Sequence, residues 1–361
     1  MSAINNDKNV YLLGAGFSKE IGLPLQDDFL LTAKEVFFKN PDSFRHFERV
    51  FEYQDKLTRM KKFLNYPLLN LEHLFNLIEM DIFYSNNEES AAIKSDFIKL
   101  ICDVLIDKTP CPFLIEQSSG TVRMISNFKH YLSFISLLIK EYEHNLVTHE
   151  DTIISFNYDL VLEGAVSIYN WKRKKSHSSG IIKFNTLFGM GNITEEPVSD
   201  YFTKNRQDAW FPPPDSSTGE SSSVKLIKLH GSINWEAADD TNSFIVPPTW
   251  NKSDERIRKL WDEAYQELKA AKRIIIIGYS FPETDIYVKS LLALALNENK
   301  ILQNIYFINP DKDVTKRASL SLLDKYFEKY CDYKEWKFST FIGKEEGKTF
   351  VNRDLNRQIT T

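Results

Sequence analysis

The residues able to do chemistry in this chain fall in five short polar motifs, each placed directly after an apolar run. Gly14-Ala15-Gly16-Phe17-Ser18 follows residues 10–13, and Ser155-Phe156-Asn157-Tyr158-Asp159 follows 152–154. His230-Gly231 follows 224–229, Gly278-Tyr279-Ser280 follows 273–277, and Asn309-Pro310-Asp311 follows 305–308. A Gly-x-Gly turn lets backbone approach a ligand with no Cβ in the way. Ser18 can cap the turn that follows, where helix amides and the helix dipole favour a phosphate. The same turn also serves as an ordinary strand-to-helix connection, and Lys19 stands where Gly-x-Gly-x-x-Gly needs its third glycine. Asn157 and Asp159 lie where a strand ends and a helix begins. One of them suffices as a helix cap, which leaves the other for a ligand. His230 suits proton transfer near neutral pH, since an unperturbed imidazole titrates at about 6.5. Asp285 reads equally as a second carboxylate near the site or as a charge at a helix N-terminus.

Buried parallel strands must position these motifs. The four isoleucines 274–277 need cover on both faces, which marks a central parallel strand. Strands alternating with helical patterns predict an α/β fold, a Rossmann-like doubly wound parallel sheet. Its carboxyl ends then form one rim, where a dinucleotide would bind. Residues 25–149 contain no glycine before Gly120, and Phe29, Leu30, Ala33, Val36 and Phe37 recur at helical spacing. This predicts a large all-helical insertion, with helices over 70–83, 91–105 and 122–142. Further helices are expected over 160–169 and 253–271, and another opened by residues 281–285 and running through 296. Residues 172–223 read as a loop-rich surface region, and 336–361 as a short strand with a loose tail. The expected division is a discontinuous nucleotide-binding domain, 1–30 plus 150–335, a helical insertion or cap, 31–149, and a C-terminal extension, 336–361.

Composition narrows the class. The chain of 361 residues is 42% hydrophobic and 26% charged, as in soluble globular proteins. A net charge of -5 gives no general attraction to nucleic acid or anionic lipid. Three cysteines without a Cys-x-x-Cys pair support neither a zinc ribbon nor a disulfide framework, and they fit a reducing compartment. Residues 1–9 are polar and no long apolar run occurs, so a cytoplasmic chain without a membrane span is expected. No Gly-x-x-x-x-Gly-Lys-Ser/Thr phosphate loop is present.

Taken in order, the five motifs resemble those of the sirtuin family and, more closely, its bacterial sirtuin-like branch. The resemblance covers roughly 8–30 and 150–312. The zinc-binding cysteines of protein deacylases are absent, Phe156 replaces the usual Gln before Asn157, and Leu25-Gln26-Asp27 replaces Asp-Phe-Arg. In these departures the chain is similar to the zinc-less sirtuin-like NAD hydrolases of anti-phage defence. That resemblance implies a sirtuin-like fold and an NAD+ hydrolase that releases nicotinamide and ADP-ribose, with NAD as substrate and no metal. It implies that Gly14, Ala15, Gly16 and Ser18 hold the pyrophosphate and that Asn157 orients the water or the ribose. Asp159 would contact the carboxamide and His230 would accept a proton. Ser280 and Asn309 would hold the adenosine side, with Gly278 among the cofactor-binding residues. The alternatives are an NAD-dependent protein deacylase and a non-catalytic NAD or ADP-ribose sensor. Implied partners are further copies of the chain and a HerA-type ATPase, without direct nucleic-acid or membrane binding.

Overall fold

Every residue of strand β1 (Asn9–Leu13) is buried, and its side chains alternate between two cores. Val10 and Leu12 join one apolar cluster, and Tyr11 and Leu13 join the other. A strand covered on both faces must be apolar throughout, which is why this run reads continuously rather than alternately. The structure is a computed structural model describing residues 7–60, 70–85, 88–110, 113–115, 122–124, 128–142, 145–175, 182, 184–185, 224–236, 243–246, 255–282, 285–313 and 328–359. Most of the expected loop-rich stretch 172–223 therefore lies outside the described residues.

After β1 come helices α1 (Ala15–Lys19), α2 (Phe29–Lys39), α3 (His46–Met60), α4 (Leu71–Ser85) and α5 (Glu88–Lys108). Strands β2 (Phe113–Ile115) and β3 (Val122–Met124) precede α6 (Phe128–Leu137), and β4 (Ile139–Tyr142) and β5 (Asn145–Thr148) follow it. The chain continues through β6 (Thr152–Ser155), α7 (Val161–Lys175), β7 (Lys225–Lys228), β8 (Gly231–Glu236) and β9 (Ser243–Ile245). It ends with α8 (Glu255–Lys269), β10 (Arg273–Ile277), α9 (Ile286–Glu298), β11 (Asn304–Ile308), β12 (Cys331–Lys334), α10 (Phe338–Gly343) and α11 (Glu345–Arg353). Among the described residues no helix is long and apolar enough to cross a membrane.

Six strands form one parallel sheet in the order β12-β11-β10-β1-β6-β7. The chain builds outward from β1 through β6 and β7, then returns to the other side of β1 with β10. This is a Rossmann-like, doubly wound arrangement. Ile274 and Ile276 enter the core covered by α8 and α9, while Ile275 and Ile277 enter the core shared with the helical insertion. Leu13 pairs with both Ile277 and Ser155, Ser155 pairs with Lys228, and Ile277 pairs with Ile308. The strands thus stop at one level, and the residues that follow them form a common rim.

Helices α2, α4, α5 and α6 arise where apolar spacing predicts helix, and α3 adds another. The expected helix over 122–142 is confined to α6. Its flanks instead pair as antiparallel ladders, β2 with β3 and β4 with β5. Ladder hydrogen bonds to a neighbouring strand outweigh a weak local helical preference. Tyr131 of α6 donates from its hydroxyl to the Phe17 carbonyl at 2.7 Å, fastening the insertion to the turn after β1.

The loose tail expected over 336–361 is not what forms. β12 extends the sheet, and α10 and α11 bury Phe338, Phe341, Ile342, Phe350 and Val351 against the insertion-side core. Beyond them, Arg357 reaches the opposite end of the sheet from the rim. Its Nε and Nη2 donate to the two oxygens of Asp151 at 2.9 and 2.6 Å, and the Asn9 amide donates to the same carboxylate at 3.0 Å. Burial works against the Arg357 charge, but Asp151 more than offsets it, so the guanidinium pKa lies above its ordinary value. Asp151 is fully buried, so losing its partner strands a charge away from water. Arg357→Ala is expected to destabilise the protein by about 3–5 kcal/mol in denaturant unfolding. A loss below about 1 kcal/mol would show that the tail does not clamp the sheet.

Candidate functional site

The turns that leave β1 and β10 are packed backbone against backbone. The amide of Gly14 donates to the Ile277 carbonyl at 3.0 Å, and that of Gly16 donates to the Gly278 carbonyl at 2.9 Å. A Cβ on Gly14 would lie 2.5 Å from the Tyr279 Cα, and one on Gly278 would lie 2.5 Å from the Gly16 carbonyl carbon. Gly278 is also left-handed, with φ 62°. These glycines therefore serve loop-to-loop contact, and the amides of Gly14 and Gly16 are spent on β10. Ala15 and Ser18 are the members of the motif that face open space.

That space is a cleft at the carboxyl ends of β1, β6 and β7, about 770 Å³ when the open solvent at its mouth is counted. Its floor holds Ala15, Ser18, Asn157, Asp159 and His230, and its roof holds Gln26, Phe29, Leu71, Glu72, Phe75 and Leu105 from the insertion side. With Asp285, which also lines it, the structure thus brings together six of the residues singled out in the sequence. Gly14, Gly16 and Gly278 lie beside the cleft, in the interlocked turns. Ser280, which is exposed, and Asn309, which is half-buried, lie outside its lining on the β10 and β11 side of the rim. The side-chain oxygen of Asn309 accepts from the Asp311 amide at 2.9 Å, closing its own turn.

Asn157 is oriented by the β1 turn. Its Nδ2 donates to the Gly14 carbonyl at 2.9 Å and to the Ser18 hydroxyl at 3.3 Å. A carbonyl partner fixes which end of the amide carries the nitrogen, and Oδ1 remains as an acceptor. Asp159 caps α7, accepting from the Val161 amide at 3.0 Å, and takes a second hydrogen bond from Ser18. Burial pushes the Asp159 carboxyl above the ordinary carboxylate range, against the opposing pull of Lys228. Lys228 is itself fully engaged: its Nζ donates to the Asp159 carbonyl, to Glu163 at 2.9 Å and to Ser232 at 2.7 Å.

His230 is 3% exposed and ringed by Phe156, Tyr158 and Trp261. Its Nε2 lies 3.8 Å from Asp285 Oδ2, within ion-pair range though longer than a hydrogen bond. Asp285 also caps α9 at the Val288 amide and accepts from the Tyr279 hydroxyl. The two readings of Asp285 therefore hold together, as helix cap and as carboxylate in the cleft. Burial first, and Asp285 second, hold the Tyr279 hydroxyl well above its usual pKa. Sequence reasoning left Glu72 out altogether and met Gln26 only within Leu25-Gln26-Asp27, as a departure from the deacylase pattern. A Glu at the start of an amphipathic helix reads as a solvated charge until the fold turns it inward. Among the described residues that line the cleft, three are carboxylates (Glu72, Asp159, Asp285) and none is lysine or arginine. No group of His, Cys, Asp and Glu able to hold a metal ion occurs among the described residues.

A parallel sheet with Asn, Asp and His gathered at its rim is a Rossmann-like α/β arrangement, and comparison narrows it. A family model described as the SIR2-like domain matches residues 151–331, half of the chain. The chain belongs to this SIR2-like family. The matched stretch includes Asn157, Asp159, His230, Gly278, Ser280, Asp285 and Asn309, while the β1 turn and the helical insertion lie outside it. Among solved structures, it is similar to a Sir2 homologue in complex with NAD, at 14% identity and TM-score 0.39, covering 96% of this chain and 90% of that one. It is also similar to a triple mutant of a Sir2 homologue with 2'-O-acetyl ADP ribose, at 14% identity and TM-score 0.37, covering 99% of this chain and 97% of that one. No curated protein matches it.

The interlocked turns make a local prediction. Gly278→Ala adds a Cβ in left-handed backbone against the β1 turn, and is expected to lower stability by about 1–3 kcal/mol. Ser280→Ala, two residues on and exposed, should stay within about 0.5 kcal/mol of wild type. Thermal unfolding of both variants checks this, and equal melting temperatures would refute the interlock.

Proposed function

We propose that the cleft binds NAD+ and cleaves its nicotinamide–ribose bond, releasing nicotinamide and ADP-ribose. The observation that carries this reading is the convergence of Asn157, His230 and Asp285 in an acidic cleft with no lysine or arginine among the described residues that line it. The leaving nicotinamide is a pyridinium before the bond breaks, so no strong acid is needed to expel it. The protein must instead hold the ribose, exclude competing geometries and aim a water at C1′. Asn157, with its nitrogen fixed by Gly14 and Ser18, would present its oxygen to that water or to a ribose hydroxyl. His230 would take the proton, and Asp285 at 3.8 Å would stabilise the imidazolium so formed. Asp159 would face the carboxamide. The pyrophosphate would lie beside Ala15 and Ser18, and the adenosine would run along the rim toward Ser280 and Asn309.

An enzyme of this kind depletes NAD, and we propose a role as an effector of bacterial anti-phage defence. Control would come from assembly with copies of itself or from a HerA-type ATPase or other activating defence protein. The resemblance of the five motifs to zinc-less sirtuin-like hydrolases supports that wider role.

Incubation with NAD+, followed by chromatography, is expected to yield nicotinamide and free ADP-ribose in equal amounts. His230→Ala and Asn157→Ala should each lower the rate by about 10²- to 10⁴-fold with an unchanged melting temperature. Asp285→Asn keeps a good helix cap while removing the charge, so it should slow cleavage without unfolding α9. Acetyl transfer from an acetylated peptide, with O-acetyl-ADP-ribose as product, would favour a deacylase instead. Binding without turnover at activating partner concentrations would favour a sensor.

A further inference from the structure

We propose that Glu72, carried by the helical insertion, makes the cleft selective for a dinucleotide whose nicotinamide ring is oxidised and cationic over the same molecule in its reduced, neutral form. The inference rests on the NAD reading of this cleft and names the ligand state it accepts. Glu72 begins α4, is 6% exposed and lines the cleft opposite the strand ends. It is held in place rather than merely near. Gln26 donates from Nε2 to Glu72 Oε1, and the Gln26 carbonyl accepts from the Leu71 amide at 3.3 Å. The loop after α1 and the first turn of α4 are thereby joined twice around this one carboxylate. Its field reaches the floor of the cleft. Burial first and Glu72 second raise the Tyr158 hydroxyl pKa, and Glu72 adds to the rise at Tyr279 after burial and Asp285.

The two redox forms of the dinucleotide share their phosphates, riboses and adenine and differ by one unit of charge on the nicotinamide ring. A buried carboxylate in a cleft with no lysine or arginine among its described lining residues therefore acts on the difference between them. Glu72 lies outside the stretch matched by the family model, so this selectivity would be a property of the insertion rather than of the sheet.

The test uses the full chain and the carbocyclic analogue of NAD+, which keeps the pyridinium charge but has no cleavable glycosidic bond, beside the reduced form of that analogue. Calorimetric titration is expected to show the oxidised analogue binding wild type about tenfold tighter or more. Glu72→Gln should bring the two affinities to within about threefold, chiefly by weakening the oxidised form. Glu72→Asp, which keeps the charge on a shorter arm, should fall between them. Equal wild-type affinities, or a ratio untouched by Glu72→Gln, overturn the proposal while binding itself leaves the NAD reading standing. Failure of wild type to bind either form overturns both. The wild-type ratio needs no variant, so a Glu72→Gln chain that does not fold still leaves the proposal open to refutation.

Discussion

Backbone contact between the turns after β1 and β10 sets the geometry on which the site depends. These strands are central neighbours, and their registers end together at Leu13 and Ile277. The next residues must diverge or interlock, and glycines at 14, 16 and 278 let them interlock at distances no side chain would permit. With Gly14 fixed, its carbonyl fixes the Asn157 amide. With Gly278 fixed, Tyr279 is aimed at Asp285, and Asp285 at His230. A few close main-chain contacts thus propagate across the width of the cleft, through hydrogen bonds and one 3.8 Å ion-pair contact whose partners come from four separate strand ends. The left-handed backbone of Phe281, φ 55°, sits in this same turn, and its ring is held against Tyr279 and Phe307. Such strain persists only where the surrounding packing over-determines it.

Much of this frame was legible in the sequence because parallel strands announce themselves. Continuous apolar runs such as 274–277 admit cover on both faces only, and polar residues directly after them must reach a rim. That reasoning located Ala15, Ser18, Asn157, Asp159 and His230, which do line one cleft. The glycine motif was open to two readings, a phosphate site or an ordinary strand-to-helix turn, and in the structure the Gly14 and Gly16 amides donate to a neighbouring turn 263 and 262 positions away in sequence. Local sequence carries no signal for such a contact. β12, with intermediate burial throughout, lacked the apolar run that marked the other strands. The tail misled for a similar reason. Residues 336–361 are polar on average, yet Phe341, Phe350 and Val351 fall on one buried side, and Arg357 finds its partner at Asp151. An average hides a sparse amphipathic pattern, and a lone arginine near a terminus reads as solvated until the partner carboxylate is seen.

The helical insertion changes what the sheet can do. The strand ends alone would form an open shelf, where water screens every charge and a carboxylate near a cation contributes little. Phe29, Leu71, Phe75 and Leu105 roof that shelf with apolar surface, and Glu72 brings a charge in from the same side. Enclosure by apolar surface would strengthen the electrostatic effect of Asp285 on His230, and that of Glu72 on the ring proposed to bind there, since both face the same cleft. The insertion shares one continuous core with a face of the sheet, so the roof cannot shift without disturbing Tyr11, Phe17 and Leu13 beneath it. Floor and roof are therefore a single packed unit. A site assembled from residues as far apart as Ser18 and Asp285 keeps its shape because the core that stabilises the fold is also the wall of the cleft.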